Sequence, residues 1–467
     1  MIHPTQWTEE GTTLTLLEDL EALLTPEQVT VNQTLREHHS HDESYHEPRL
    51  PDVVVFPESA RDVAAILRYA DQNGIPVVPF ALGSSLEGHS IPAQGGISLD
   101  MMRMNRILEI RPDDFLVKVQ PGVSKQQIND ALRRHGLFFS VDPGSNPSVG
   151  GMASTNAGGT TTVRYGSMRD QVRALEVVLP DGSIIHTGSL AAKSSSGYHL
   201  TGLFVGSEGT LGVFTELWLR VHGLPETVLA ARASFPDAGR CVRAATAIMG
   251  AGIPVARLEF MDSAMIRAVN RFQSASYPEI PTLFLEFHGN HAGVHRDVEN
   301  VRELAADEDC ASFAFAESEE DRHSLWDARH VAATAFLAGC PGKRNLSTDV
   351  CLPLSELPDA MEHANRVLAE SGLQGGIVGH LGDGNYHVLL AVNPDNPDDM
   401  RRATDANERI VRHSLERGGT CTGEHGVGIG KRRFQEWEHG PALQWMRAVK
   451  RLFDPNHIMN PGKLVDE

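Results

Sequence analysis

Cysteine is scarce. The five residues, Cys241, Cys310, Cys340, Cys351 and Cys421, are odd in number and widely spaced. That excludes a disulfide scaffold and points to a reducing compartment. Positive charge is also short, with 41 Lys+Arg against 61 Asp+Glu and a formal net charge of −20. Non-specific binding to nucleic acid or to an anionic membrane calls for a basic surface, and this balance argues against both. No run of about 18 apolar residues occurs, so no membrane-spanning helix is expected. The opening MIHPTQWTEEGTT has neither a basic start nor an apolar stretch, and no secretory or organellar leader is expected there. The chain reads as soluble and cytoplasmic, with peripheral docking at a membrane left open.

What is present is the composition of a folded protein, 41% hydrophobic and 22% charged over 467 residues. That length points to two or more domains. Residues 12–47 look helical and polar. DVVVF (52–56) is a buried-strand run. PESARDVAAILRYADQN (57–73) has apolar residues every three or four positions and ends at Gly74, an amphipathic helix. Pro76 to Phe80 is a second strand, so strand, helix and strand form an α/β unit. Further strands are expected at 116–120 and 172–179, with a hairpin turn at Asp181-Gly182. Leu443 to Phe453 reads as one helix. The texture changes near residue 223, where a domain boundary is placed.

The 43 glycines are not spread evenly. They cluster at Leu82–Gly88, at Pro143–Ser167 and at Gly206–Gly212. A glycine-rich turn after a buried strand lets backbone amides converge on an anion. The first cluster lacks the Lys-Ser/Thr ending of a Walker A loop, and it is not GxGxxG. Each loop alone could be a plain turn; three within about 130 residues favour a large polar ligand.

The runs PVVPFALGSSLEGHSIPAQGGISLDM, DPGSNPSVGGMASTNAGGTTTVRYGSMRD and GLFVGSEGTLGVFTE resemble the FAD-binding domain of the vanillyl-alcohol-oxidase type. Within it they resemble the D-lactate dehydrogenase and glycolate oxidase flavin-subunit branch. The resemblance covers about Asp42 to Lys463. It implies an α+β protein: a two-part FAD-binding domain of the PCMH type over 1–223, an α+β cap domain with an antiparallel sheet over 224–430, and a C-terminal segment, 431–467, returning to the FAD domain. It places Ala81, Leu82, Gly83, Ser84 and Ser85 at the FAD pyrophosphate. Pro143, Gly150, Gly151, Ala153, Ser154, Thr155 and Gly158 would line the flavin, with Glu208, Gly209 and Val213 nearby and Asn460 at the flavin edge. Ala81 and His89 stand where the family commonly has glycine. No covalent attachment site is evident, so FAD is expected to be bound non-covalently.

GIVGHLGDGNYHVLLAV (376–392) carries metal-like chemistry. A two-residue turn at Asp383-Gly384 would pair Gly382 with Asn385, Leu381 with Tyr386, and His380 with His387. Opposed residues share a face with Cβ atoms roughly 5 Å apart, so both imidazoles can reach one cation. An isolated pair of this kind could equally be cross-strand packing. The string TCTGEHGVGIGK adds Glu424, a carboxylate, beside His425. Two histidines and one carboxylate leave coordination positions open, the pattern of a catalytic site. The family resemblance assigns His380, His387 and Glu424 to the metal and His425 to the general base. Zinc is favoured over manganese or iron. EHHSHDESYHE (37–47) is richer in histidine, but its spacing fits no hairpin or helical face, and it reads as a solvated segment.

LWDARH (325–330) matches the branch's LWxARH string, which implies that Arg329 holds a substrate carboxylate. The implied reaction is oxidation of a small D-2-hydroxy acid to the 2-oxo acid. His425 takes the hydroxyl proton, and the α-hydrogen leaves as hydride to the flavin N5. Members acting on 2-hydroxyglutarate have Asn where Leu389 stands and Lys where Ser347 stands. D-lactate is therefore favoured, with glycolate (as the flavin subunit of an oxidase) and D-2-hydroxyglutarate as alternatives. The electron acceptor, whether cytochrome, quinone or electron-transfer protein, and a homodimer are left open.

Overall fold

The computed structural model describes residues 11–316 and 318–465. Met1–Glu10, most of the stretch read above for a leader, lies outside the described residues, as do the last two residues of the expected C-terminal segment. No helix among the described residues is long and apolar enough to cross a membrane.

The helix read at 57–73 forms as Ala60–Asn73. Ser59 caps it and accepts from the Asp62 amide, while Asp62 accepts back from the Ser59 amide. Such a capping box satisfies two otherwise orphaned donors. Val63, Ile66, Leu67 and Ala70 form the buried stripe. Gly74 ends the helix at φ 63°. The strands on either side, Val53–Val55 and Val77–Phe80, are not adjacent: Ile97–Asp100 lies between them, parallel to both. Residues 12–47 are less helical than expected, with helices only at Gly11–Leu23 and Gln33–His38 around a 3₁₀ turn and the short strand Val29–Thr30.

The histidine-rich segment is only partly solvated: His38 and His41 are exposed, but part of it is built into the fold. His39 is 1% exposed, and Asp42 and Ser44 are buried. The His39 ring is bonded on both nitrogens, to the Leu35 carbonyl at 2.7 Å and to Asp100 Oδ2 at 3.0 Å. That second partner is 61 residues away, so the polar string alone gave no sign of it.

A second sheet of five antiparallel strands is ordered Ile107–Arg111, Leu116–Val119, Val213–Arg220, Val172–Val178 and Ile184–Gly188. The last two strands are joined through the Asp181-Gly182 turn. The chain end returns to the first sheet, where the amide of Asn460 donates to Val77 O. The terminal helix forms as Leu443–Phe453.

From Thr227 onward an eight-stranded sheet dominates. Its central strands run Thr227–Ser234, Thr282–Gly289, Val255–Met261, Gly375–His380 and Asn385–Val392, all antiparallel. Strand residues alternate between faces. Leu258, Phe260, Ile377 and Val388 pack with the helices Ala238–Gly250 and Leu357–Ser371 on one face. Met261, Val378 and Leu389 pack with Glu319–His330 and Ala332–Ala338 on the other. His380 and His387 keep step with Val378 and Leu389, so both point to that second face.

The expected hairpin register is corrected. Asn385, not His387, faces His380, and Val378 faces His387. The turn spans residues 381–384 rather than two residues. Gly384 sits at φ +84°, and a Cβ there would stand 2.1 Å from Leu352 O. That approach draws the loop down onto the neighbouring strand Val350–Cys351. The slip is two residues, an even number, so it leaves both histidines on one face. They become diagonal neighbours, with ring centroids 5.5 Å apart.

Candidate functional site

A cavity of about 630 Å³ opens between the glycine loops and the second face of the large sheet. Ala81, Leu82, Gly83, Ser84 and Ser85 line it, as do Pro143, Gly150, Gly151, Ser154, Thr155, Glu208, Gly209, Val213 and Asn460. Two expected residues are not on its wall. Ala153 is fully buried in the core behind it. Gly158 lies against Glu424, where a Cβ would be 3.3 Å from Oε2.

The loop following Val77–Phe80 suits an anion. Among the described residues, no hydrogen bond within the chain uses the amides of Leu82, Gly83, Ser84 or Ser85. Unspent backbone donors on a cavity wall can cradle a pyrophosphate without a charged side chain. The fit to a dinucleotide cofactor rests on this chain of free amides and on the small residues across the cavity from it.

The same cavity is also lined by Arg329, His380, His387, Glu424 and His425. Glu424 Oε1 stands 3.1 Å from His380 Nε2 and 3.3 Å from His387 Nε2. The ligand atoms of the three lie within 4.8 Å of one another. The outer nitrogens are held elsewhere. His380 Nδ1 lies 2.7 Å from Glu259 Oε1, and His387 Nδ1 lies 3.2 Å from Thr348 O. Partners of this kind orient the inner nitrogens for a metal. Burial opposes charge on both His380 and Glu424. For His380 the carboxylates of Glu259 and then Glu424 outweigh it, and for Glu424 the imidazoles of His380 and His387 do, so His380 is raised well above and Glu424 held well below its ordinary value. Two nitrogens and a carboxylate oxygen converging on one point fit a divalent cation of the zinc, manganese or iron kind.

Asp349, His387 and His425 form a second cluster of potential ligands. Asp349 is already used. It accepts from Asn385 Nδ2 (2.8 Å), Thr422 Oγ1 (2.7 Å), the amides of Glu424 (3.0 Å) and His425 (2.9 Å), and Lys431 Nζ (3.2 Å). Its role is to shape the Glu424–His425 loop. Burial works against its charge, but Lys431, His425 and His387 hold its carboxyl well below the usual range.

His425 stacks on His387 with centroids 4.7 Å apart and planes 6° from parallel. Burial pushes its pKa down to about 3, so at neutral pH it is uncharged with a lone pair to offer. Arg329 reaches the cavity but is not free. Its Nη2 pairs with Glu259 Oε2 at 2.7 Å, while its buried Nε has no partner. Glu208 is likewise committed. Its carboxylate accepts from the amides of Val427 (2.6 Å) and Gly428 (2.9 Å) and lies 3.1 Å from His89 Nε2. It ties the flavin-side loops to the Glu424–His425 loop.

Sequence reasoning missed Glu259, Asp349, Glu87 and Lys431. Glu259 had a signal: an acid inside the apolar run VARLEFM demands a buried partner. Lys431 is buried between Glu87 Oε1 (3.0 Å) and Asp349 Oδ2 (3.2 Å), contacts that only the fold creates. Burial pushes the Glu87 carboxyl up to about 7, although Lys431 opposes it.

The model of the FAD binding domain matches residues 51–188, and that of the C-terminal domain of FAD linked oxidases matches 224–464. A probable mitochondrial D-lactate dehydrogenase of Danio rerio is 45% identical over 94% of this chain and 89% of its own. The mitochondrial D-lactate dehydrogenase [cytochrome] of Arabidopsis thaliana is 41% identical over 90% of this chain and 75% of its own. Among solved structures, p-cresol methylhydroxylase with substrate bound superposes with a TM-score of 0.79 at 18% identity, over 99% of this chain and 98% of that one. This last likeness concerns the fold.

Proposed function

The chain belongs to the FAD-linked oxidases, and on that premise we propose that it is an FAD-dependent, metal-dependent dehydrogenase of small D-2-hydroxy acids, with D-lactate the favoured substrate and the 2-oxo acid the product. The observation that carries this reading is that one cavity is lined both by the Leu82–Ser85 loop with its free amides and by His380, His387, Glu424 and His425. The names of the relatives supply the substrate.

In this reading residues 1–223 hold the FAD, 224–430 form the cap and 431–467 return to the first domain. FAD, bound without a covalent link, would supply a hydride acceptor, and the external electron acceptor would be a cytochrome, as in the name of the Arabidopsis relative. His380, His387 and Glu424 would hold a divalent cation, zinc in the first instance, whose positive charge favours a substrate oxygen in its deprotonated form. The chain's own residues do the rest. His425, neutral through burial, accepts the hydroxyl proton. Arg329 offers its unpartnered Nε toward the substrate carboxylate, while its pairing with Glu259 fixes its place. Val378 and Leu389 give the wall an apolar stretch beside His380 and His387. That suits a methyl group.

The test is anaerobic mixing of the yellow holoenzyme with D-lactate, L-lactate, glycolate and D-2-hydroxyglutarate, following flavin absorbance. D-lactate is expected to bleach it fastest. Bleaching by L-lactate alone would overturn the stereochemistry, and preference for glycolate or D-2-hydroxyglutarate would overturn the substrate.

A further inference from the structure

A general base of the imidazole type works from one nitrogen, and something must hold the other. For His425 the structure shows an unfilled place at the second nitrogen. His425 Nδ1 is buried and has no hydrogen-bond partner. The acceptor groups around it are few. The ring of His387 lies flat against its face, so it offers nothing to the ring edge. Asp349 takes the His425 backbone amide and is filled by the donors described above. Glu87 is different. Its Oε1 lies 4.0 Å from His425 Nδ1 and accepts from Lys431 Nζ at 3.0 Å, which leaves that oxygen a lone pair.

Glu87 is built into its place. It comes from the glycine loop that follows Val77–Phe80, on the flavin side of the cavity. Its carbonyl accepts from the Ile429 amide at 2.8 Å. Gly428 lies against the same carbonyl: a Cβ there would stand 2.2 Å from Glu87 O, at φ +49°. The chain on either side of Lys431 therefore wraps around Glu87, and the His425 loop and the pyrophosphate loop are locked together at this residue.

We propose that Glu87 is the positioning residue of the base: it accepts the Nδ1–H of His425, fixes the tautomer in which Nε2 carries the lone pair toward the cavity, and faces the imidazolium once Nε2 has taken the hydroxyl proton. The gap of 4.0 Å is about 1 Å beyond a hydrogen bond, and contacts of this kind tighten when substrate binds. The proton moves from the substrate hydroxyl to Nε2; the Nδ1 proton stays on the ring and strengthens its bond to the carboxylate. Because Glu87 comes from the loop after Val77–Phe80 and His425 from the loop that wraps around it, the base is aligned only where these two loops meet. This inference rests on the hydroxy-acid reading above.

The test compares wild type, Glu87→Gln and Glu87→Asp as holoenzymes in anaerobic stopped flow with D-lactate. Glu87→Gln is expected to lower the limiting rate of flavin reduction about 100-fold while leaving the Kd for D-lactate unchanged, and Glu87→Asp to recover part of the loss. A second readout needs no turnover. In [15N]histidine spectra, the ring signals that vanish in His425→Gln should report an Nδ1–H tautomer in wild type and a mixture in Glu87→Gln. Wild-type rates in Glu87→Gln, or a wild-type His425 carrying its proton on Nε2, would overturn the proposal. Failure of every acid in the panel to reduce the wild-type flavin would instead overturn the hydroxy-acid reading, and the tautomer spectra would still judge Glu87.

Discussion

Arg329 and Glu259 are joined in a buried ion pair, Nη2 to Oε2 at 2.7 Å, and the other oxygen of that carboxylate lies 2.7 Å from His380 Nδ1. Register explains the second contact, since Glu259 and His380 are directly opposed across neighbouring strands. One carboxylate thus places both a metal-type imidazole and the substrate-type guanidinium. Glu259→Gln keeps the shape and removes the charge. Affinity for zinc or manganese is expected to fall about 10- to 100-fold, with FAD content unchanged. Metal titration of the apoprotein checks it; wild-type affinity would show that Glu259 serves packing alone.

Chelation gives a complementary prediction. Stripped wild-type protein should stay yellow and lose reduction of its flavin by D-lactate, with activity returning on adding one divalent cation. His387→Ala should also stay yellow but not recover. The variant removes one of the two nitrogens facing Glu424 Oε1 and leaves the free amides of the Leu82–Ser85 loop untouched. Full turnover in metal-free protein would dispose of the cation.

That His380 and His387 share a face was legible in the sequence for a reason that survives a wrong detail. The hairpin register was misplaced by two residues, and an even slip keeps His380 and His387 on one face. The helices Ala60–Asn73 and Leu443–Phe453 were legible because their apolar spacing and end signals are local. The buried part of the histidine-rich segment was misread because what buries it, Asp100 against His39, is remote in sequence. Arg329 was found, but its tie to Glu259 was not, because an ion pair between a helix and a strand leaves no spacing to read. Glu87 and Lys431 sit inside glycine strings that drew notice for their backbone alone.

Glu208 supplies a prediction about stability. Its φ is +55°, a strained backbone for a residue with a side chain, and its carboxylate caps the amides of Val427 and Gly428. Burial opposes its charge, yet His89 and these two amides hold its pKa below the usual value. Glu208→Ala keeps much the same backbone strain and removes only the carboxylate. It leaves two buried amides unpaired and is expected to cost about 3 kcal/mol. The thermal midpoint should fall and FAD should dissociate more readily. An unchanged midpoint would show that the Glu424–His425 loop is held without this latch.

Acid should release a second contact between the glycine-loop part of the chain and the large sheet. Asp142, beside Pro143, accepts from Lys125 Nζ at 2.6 Å and from Arg257 Nη2, on the large sheet, at 3.0 Å. Burial alone would raise its pKa, but Arg257 and Lys125 outweigh it and hold the carboxyl well below the ordinary range. A folded pKa below the unfolded one means that the stabilisation is present above the unfolded value, about 4. It drains away as pH falls from there toward the folded value. Asp142→Asn lacks this term at every pH. The variant should therefore be less stable than wild type by a constant margin from pH 8 to 5. About 1 kcal/mol of that margin should be gone by pH 3. Urea midpoints of the two proteins at pH 7, 5 and 3 measure the margin. A margin that is unchanged at pH 3 would mean that the Asp142 charge adds nothing to stability, whatever its distances to Arg257 and Lys125.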